Sequence, residues 1–309
     1  MNYKAKLHKL IDGAYYVGIV ENAYDVISNP KRYSSLDIHW IKLGGHKNTW
    51  FADPFILKAD EKTITMLVEE FEYSTGKGIL SELLIDRQNY TLLNVRTILR
   101  QDTHLSFPYF INDRGKVYIV PESGQKNEAA LYAFDDEGML QRQKLLIEGQ
   151  LLDTQICKIG DKWYAFAVKS TEEGLDATKR LFVYEADSLL GEYKEIQCIV
   201  NSKNEERGAG LIIEHDGHLL RPAQVCEGGY GKGVILYEMK LENGQFIETE
   251  YARFMANPKQ KNGLCLHTFS VYGNLIAVDG SDYLLRCFEK INPFIYRMKS
   301  IYNKIARRR

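Results

Sequence analysis

The sequence predicts an all-β fold, a five-bladed β-propeller with four-stranded antiparallel blades, followed by a short C-terminal amphipathic helix. Two observations support the prediction of a propeller. Short runs rich in Val, Ile, Tyr, Phe and Leu alternate with polar turns along most of the 309 residues, a pattern typical of strands. Similar segments also recur at intervals of about fifty residues, the length of one blade. A single twisted sheet must pack against its neighbours to cover both faces, which favours blades in a ring.

The composition limits the classes of function. A chain of 309 residues that is 45% apolar can bury a sizeable core. The net charge of -1 gives no reason to expect nucleic acid as a partner. Five scattered cysteines without a C-x-x-C pair argue against a disulfide framework and a structural zinc site. No signal peptide or membrane span is visible, so we expect a cytoplasmic protein.

The chain divides into three predicted parts. Residues 1–37 are a weakly periodic lead-in, with a helix-like run from Ala23 to Ile27 that stops at Asn29-Pro30. Residues 38–287 form the propeller. Residues 288–309 form the C-terminal helix.

Each propeller unit begins with a strand that enters a polar turn and a second strand. The first strands begin at Asp53, Ser106, Asp153, Gly208 and Thr268. The second strands are predicted over Thr63 to Glu70, Lys116 to Glu122, Lys162 to Lys169, His218 to Gln224, and Asn274 to Asp279. Sixteen residues separate Asp53 from Glu69, Ser106 from Glu122, and Gly208 from Gln224. A β-sandwich with coincidental spacing is the alternative, and this repeated spacing makes it the weaker one.

Polar residues at the starts of the inner strands converge on one central site in such a ring. Asp53 stands between aromatic residues at the start of a predicted buried strand. An unpaired buried charge is costly, so Asp53 is either held by hydrogen bonds or used in chemistry.

Several motifs carry a family resemblance that covers residues 15–279. They are Trp50-Phe-Ala-Asp-Pro-Phe, Glu69-Glu70, Ser106-Phe-Pro-Tyr, Pro121-Glu-Ser, Arg221-Pro-Ala-Gln, Tyr230-Gly231, His267-Thr268 and Asp279-Gly280. The chain resembles the β-propeller family shared by the N-terminal part of plant glucosamine inositolphosphorylceramide transferases and by bacterial proteins from surface-glycan loci. It is more distantly similar to five-bladed arabinanase-like and levansucrase-like glycoside hydrolases.

The resemblance implies carbohydrate chemistry. Glycosidic cleavage or transfer uses two carboxyl groups around the reacting carbon. By analogy with the hydrolases, Asp53 is the candidate base or nucleophile, and Asp153 matches their supporting aspartate. Glu122 is a further catalytic candidate. Which carboxyl group carries the proton is left open.

The predicted substrate-binding residues are mixed in charge: Glu69, Glu70, Ser106, Arg207, Arg221, Gln224, Tyr230 and His267. Glu69 and Glu70 are adjacent and face opposite ways on a strand, so one of them is expected to be structural. Where the hydrolases carry their acid, this chain has Glu206 followed by Arg207.

The cations Arg207, Arg221 and His267 suit a phosphate leaving group, because Arg binds phosphate oxygens in pairs. They favour a phosphate-activated sugar donor. The alternative for Arg207 and Arg221 is a buried ion network with Glu206 or Glu122. We expect no cofactor, and no cluster has convincing spacing for a metal.

The leading functional hypothesis is a glycosyltransferase of surface-polysaccharide or glycolipid assembly. It transfers a sugar, with furanoses among the candidates, from the activated donor to a glycan or lipid-linked acceptor. A glycoside hydrolase of the arabinanase-like type is the first alternative, with Glu122 or Glu206 as the acid. A non-catalytic glycan-binding propeller is the second.

The C-terminal segment is basic. From Glu289 to Arg309, seven Lys or Arg residues stand against one acidic residue. Five apolar residues there share one helical face: Phe294, Met298, Ile301, Tyr302 and Ile305. Such a helix would lie on an anionic membrane surface, which predicts a peripheral position at the inner membrane. A helix docked on the propeller is the alternative.

Overall fold

The computed structural model describes residues 13–32, 36–44, 48–169 and 179–283. These residues form five antiparallel sheets of four strands each. The prediction of an all-β, five-bladed propeller with four-stranded blades is confirmed. The predicted helix over 288–309 lies outside the described residues.

The described part of the chain begins with a strand and a short helix. The first elements are β1 (Ala14–Glu21), α1 (Ala23–Ser28), a 3-10 turn (Pro30–Arg32) and β2 (His39–Trp40). The helix ends just before Asn29-Pro30, as predicted, because the residue before a proline disfavours the helical conformation. No described helix has the length and apolar character needed to cross a membrane.

Four blades follow in chain order, each with its four strands side by side. Blade 1 contains β3 (Thr49–Ala59), β4 (Thr63–Glu72), β5 (Lys77–Asp86) and β6 (Thr91–Leu99). Blade 2 contains β7 (Ser106–Asp113), β8 (Lys116–Glu122), β9 (Glu128–Phe134) and β10 (Leu140–Glu148), with a 3-10 turn at Gly124–Lys126. Blade 3 contains β11 (Leu151–Ile159), β12 (Lys162–Lys169), β13 (Arg180–Ala186) and β14 (Lys194–Val200). Blade 4 contains β15 (Ile213–His215), β16 (His218–Val225), β17 (Gly233–Glu242) and β18 (Gln245–Met255).

The fifth blade joins the two ends of the described chain. Its strand order is β19 (Phe269–Tyr272), β20 (Leu275–Asp282), β1, β2, and β1 pairs with β20 along its whole length. The predicted lead-in over 1–37 therefore contributes a propeller strand, and the boundary at residue 38 divides one sheet. Val17 and Ile19 are buried in this sheet, so apolar burial holds the ring closed.

The inner strands of blades 1 to 3 share a bulge. Asp53, Phe107 and Asp153 have φ angles of 48°, 45° and 46°, and at each of them the inner strand gains one residue on its partner. Such bulges re-aim the side chains of a strand. Phe107, and not Ser106, is thus the counterpart of Asp53. The equal spacing misled because β3 has a second bulge, between Ile56 and Lys58.

The core lies between the blades. Phe55 of blade 1 and Phe107 of blade 2 meet edge to face, with ring centroids 5.1 Å apart. The Tyr109 hydroxyl donates to the carbonyl of Ile156 in blade 3 at 2.8 Å. Packing between blades therefore fixes the inner strands, which carry the candidate site.

Candidate active site

Asp53 joins three blades at the centre of the ring. Its Oδ2 accepts the backbone N–H of Phe107 at 3.0 Å, from blade 2. The hydroxyl of Thr268, just before β19 of blade 5, lies 3.2 Å from Oδ1 of Asp53 and 3.0 Å from Oδ2 of Asp279, and it can donate its one proton to either of them. Asp53 is only 5% exposed, so these contacts fix the position of its carboxyl group.

His267 lies between two aspartates. Its Nε2 is 3.2 Å from Oδ1 of Asp53, and its Nδ1 is 2.9 Å from Oδ1 of Asp279. Burial opposes a charge on the ring, but Asp279, Tyr230 and Cys265 together raise the pKa of His267 well above its ordinary value. A ring with a carboxylate at each nitrogen is best satisfied as a doubly protonated imidazolium.

Asp279 is a site residue that the predicted set omitted. It is fully buried and accepts the backbone N–H groups of Asp53, His267 and Thr268 at 3.0 to 3.1 Å. Burial disfavours its charge, yet His267 outweighs this and lowers the pKa of Asp279. The ladder of β20 puts Asp279 opposite Thr268, as Glu69 is opposite Ala52 and Glu122 opposite Ser106. An acidic residue at this second-strand position was the signal that could have found it.

The same three residues are the metal-ligand candidates of the described chain. One donor atom each from Asp53, His267 and Asp279 lies within 4.8 Å of the others. Two carboxylates and an imidazole suit several divalent ions. In the present geometry, however, both ring nitrogens already lie at hydrogen-bond distance from a carboxylate, so His267 itself supplies the positive charge.

Arg207 forms a second cluster. Its Nε donates to Oδ2 of Asp153 at 2.6 Å, and its Nη2 donates to Oε2 of Glu122 at 3.3 Å. Gln224 also donates to Oδ2 of Asp153, at 2.9 Å. The Arg207 side chain remains 18% exposed. The structure therefore brings together four residues of the predicted site from blades 2, 3 and 4.

The surroundings of Glu122 disfavour its charged form. Burial, and then the charge of Asp153, raise the pKa of Glu122 well above its ordinary value, with Arg207 opposing them. The backbone N–H of Asp153 also donates to Oε2 of Glu122 at 3.1 Å. The charge of Asp153 therefore favours the neutral form of Glu122.

Glu69 and Glu70 face opposite sides of β4, as expected. Oε2 of Glu70 accepts the Ser81 hydroxyl at 2.6 Å within blade 1, which makes Glu70 the structural member. Glu69 is 5% exposed. Burial, and then the charge of Asp53, raise its pKa well above the ordinary value.

Arg221 lies away from the two clusters. It is 0% exposed, and its guanidinium donates to the carboxylates of Glu206 and Glu248 at 2.6 to 3.0 Å. Arg221 therefore belongs to a buried ion network, which was the alternative to a role in phosphate binding. Burial, opposed by Arg221, raises the pKa of Glu206 to about 7, but its carboxylate serves Arg221 rather than the channel. Three residues along β16, Gln224 faces the other way and reaches Asp153.

Aromatic rings surround the two clusters. Tyr230 is 49% exposed, lies 5.2 Å from the His267 ring, and has the Arg207 guanidinium over its face at 5.4 Å. Trp50 stacks on Phe71 at 4.5 Å, and Tyr15 lies 5.0 Å from Trp50 and 5.3 Å from His267. Ser106 is buried opposite Glu122 in the ladder. Exposed ring faces beside carboxylates are suited to sugars, which present both C–H and hydroxyl groups.

Most of the chain matches one protein family. Residues 29–272 match the family model described as glucosamine inositolphosphorylceramide transferase 1, N-terminal. The chain belongs to this family. The matched range includes every residue of the two clusters except Asp279.

Two plant relatives give the scale of the similarity. Glucosamine inositolphosphorylceramide transferase 1 of Oryza sativa subsp. japonica is 29% identical over 213 residues, which are 66% of this chain and 28% of the relative. The protein of the same name from Arabidopsis thaliana is 26% identical over 237 residues, 74% of this chain and 31% of the relative. The chain thus spans less than a third of the length of the curated relatives that it matches.

Solved structures show the same fold. An exo-β-1,3-galactanase from Clostridium thermocellum has a TM-score of 0.54 at 11% identity, over 82% of this chain and 67% of that one. The exo-β-1,3-galactanase from Phanerochaete chrysosporium solved with galactose has a TM-score of 0.54 at 10% identity, over 72% and 57%. At this level of identity the likeness concerns the fold of the family, and the chemistry must be argued from the site.

Proposed function

We propose that the central channel binds a sugar and catalyses transfer of a glycosyl group to a glycan or lipid-linked acceptor, with Asp53 as the base. The observation that supports this most strongly is the set of contacts that Asp53 makes. The backbone N–H of Phe107 and Nε2 of His267 lie at its two oxygens, in a site with further carboxyl groups and aromatic rings. A carboxylate in that position can accept the proton of an attacking hydroxyl group. The transferase names of the relatives support the same reaction class.

The donor predicted from the sequence carries phosphate. Of the three predicted phosphate-binding cations, Arg207 is the one that still supports this donor. Arg221 is paired with Glu206 and Glu248, and His267 is paired with two aspartates. A phosphate group would have to compete with Asp153 and Glu122 for Arg207. A glycoside, whose leaving group is neutral, makes no such demand on the cluster.

Glycoside hydrolysis is the second candidate, and one observation favours it. Arg207 and His267 each lie between two acidic side chains. With both cations already paired, the channel suits neutral sugar, and water in place of an acceptor hydroxyl gives hydrolysis.

Activity measurements separate these candidates. Wild type and Asp53→Asn are compared on nucleotide sugars with a glycan acceptor and on aryl glycosides without one. Transfer that needs Asp53 supports the proposal, and hydrolysis without an acceptor supports the second candidate. Sugar binding without turnover of either class, unchanged in the variant, would indicate a non-catalytic glycan-binding propeller.

Contact with an anionic membrane is also proposed, on the charge of residues 288–309 alone. Co-sedimentation with phosphatidylglycerol vesicles tests the contact. Binding by the full chain that is lost on truncation after residue 283 supports it, and equal binding by both chains contradicts it.

A further inference from the structure

Glu69 has a contact pattern unlike that of the other central carboxyl groups. Its Oε1 is buried and makes no hydrogen bond among the described residues. Asp53, Asp153 and Glu122 all accept N–H groups. Since leaving a buried carboxylate oxygen without a donor is costly, this position favours the neutral acid.

The histidine beside Oε1 is neutral. His104 Nε2 lies 3.4 Å away, but His104 Nδ1 accepts the backbone N–H of Gly78 at 2.9 Å. A ring nitrogen that accepts cannot carry a proton, so His104 is the neutral tautomer, in agreement with the lowering of its pKa by burial. The short distance between Glu69 and His104 is therefore not an ion pair.

The position of Glu69 is central. The charges of Asp53, Glu122 and Asp279 raise its pKa, and the charge of His267 opposes them. Gly78 makes room for it, because a Cβ atom at residue 78 would lie 2.6 Å from Oε1. A carboxyl group in this position reaches the charges of both clusters and belongs to neither.

We propose that Glu69 is the proton donor of the channel, and that the leaving group of the donor sugar is therefore an alcohol oxygen of a sugar or lipid. An alkoxide needs a proton as it departs, whereas a phosphate carries its own negative charge. Glu122 is less suited, because Arg207 and the backbone of Asp153 both donate to its Oε2. The inference rests on the proposed carbohydrate function and narrows the donor to a glycoside.

The proton balance of the step is closed. The bond from the anomeric carbon to the leaving oxygen breaks, its electron pair stays on that oxygen, and the oxygen takes the Glu69 proton. The hydroxyl of the acceptor, or water, bonds to the anomeric carbon and gives its proton to Asp53. Glu69 ends as a carboxylate and Asp53 as an acid, and exchange with solvent restores both.

Glu69→Gln tests the role, and Glu61→Gln, in the exposed turn between β3 and β4, is the matched control. A panel of alkyl glycosides is compared with the corresponding dinitrophenyl glycosides, whose leaving group departs without a proton. We expect Glu69→Gln to lose about 10²- to 10⁴-fold on the alkyl substrates and little on the dinitrophenyl ones. Glu61→Gln should match wild type on both. An equal loss on both substrate types, or no loss, would overturn the assignment.

An infrared difference spectrum between wild type and Glu69→Gln at neutral pH provides a readout that needs no turnover. A protonated-carboxyl band lost in Glu69→Gln is expected, and its absence from wild type overturns the donor role. If the band is present but wild type cleaves neither glycoside class, the proposed function fails and the donor role with it. Should Glu69→Gln not fold, Glu69→Met, which removes the acid and keeps a side chain of similar length, takes its place in both measurements.

Discussion

The Nε2 atom of His267 lies 3.2 Å from Oδ1 of Asp53. The other ring nitrogen faces Asp279, so one imidazolium links the candidate base to a fully buried aspartate. Arg207 repeats this arrangement between Asp153 and Glu122. In both clusters, one cation is shared by two acidic side chains.

The first prediction concerns the pH dependence of stability. The folded-state pKa of His267 is raised above the value of about 6.5 in the unfolded chain. Its contribution to the free energy of unfolding is therefore complete below about pH 6.5 and is lost as pH rises through the folded-state pKa. The melting temperature of wild type should fall over this interval by more than that of His267→Asn. The exposed His39, changed to Asn, is the control and should keep the wild-type profile.

The second prediction concerns metal. Because His267 supplies the positive charge between Asp53 and Asp279, chelation should leave the melting temperature unchanged. Differential scanning fluorimetry with and without EDTA measures this. A drop with EDTA that added calcium or zinc reverses would instead assign the cluster to a metal ion.

The third prediction separates Arg221 from the site. Arg221→Met leaves Glu206 and Glu248 buried without their cation, and should cost about 3–5 kcal/mol of unfolding free energy. Arg100→Met, which removes an exposed pair with Glu72, should cost about 0–1 kcal/mol. Urea denaturation gives both values. A well-folded Arg221→Met protein that has lost only sugar affinity would return Arg221 to the binding site.

The fourth prediction concerns the space beneath Glu69. A methyl group at Gly78 would collide with Oε1 of Glu69 and with the backbone of Leu105. Gly78→Ala should therefore lower the unfolding free energy by about 1–3 kcal/mol and reduce turnover by displacing Glu69. Stability and turnover equal to wild type would show that the Glu69 side chain lies elsewhere.

The five blades were predictable because a strand repeat depends on local alternation and turns. The closure of the ring was not, since pairing of β1 with β20 joins residues more than 250 positions apart. Residues 14–21 have an apolar pattern. The only sign that they complete the fifth blade was that the last repeat in the sequence has two strands and lacks the two outer ones.

The candidate site was predicted in part for a similar reason. Residue type and repeat position brought out Asp53, Asp153, Glu122, Arg207 and Gln224. The two-residue period of a strand would have placed Arg221 on the face opposite Gln224, had it been applied there as it was to Glu69 and Glu70. Charge pairing could not be read from the sequence, because the partners of Arg207 and His267 come from other blades.

The backbone conformation of Asp53 allows a conservative substitution that tests its role as the base. Asp53 has a left-handed backbone, a conformation that Asn tolerates well. Asp53→Asn should therefore fold normally, and the change of the exposed turn residue Asp60 to Asn is the matched control.

The rates of glycosyl transfer and glycoside cleavage are measured for wild type, Asp53→Asn and Asp60→Asn. Melting temperatures check that each variant is folded. Asp53→Asn is expected to lose about 10²- to 10⁴-fold in turnover while Asp60→Asn equals wild type. Turnover by Asp53→Asn equal to that of wild type would contradict the account of Asp53 as the base of a carbohydrate-active channel.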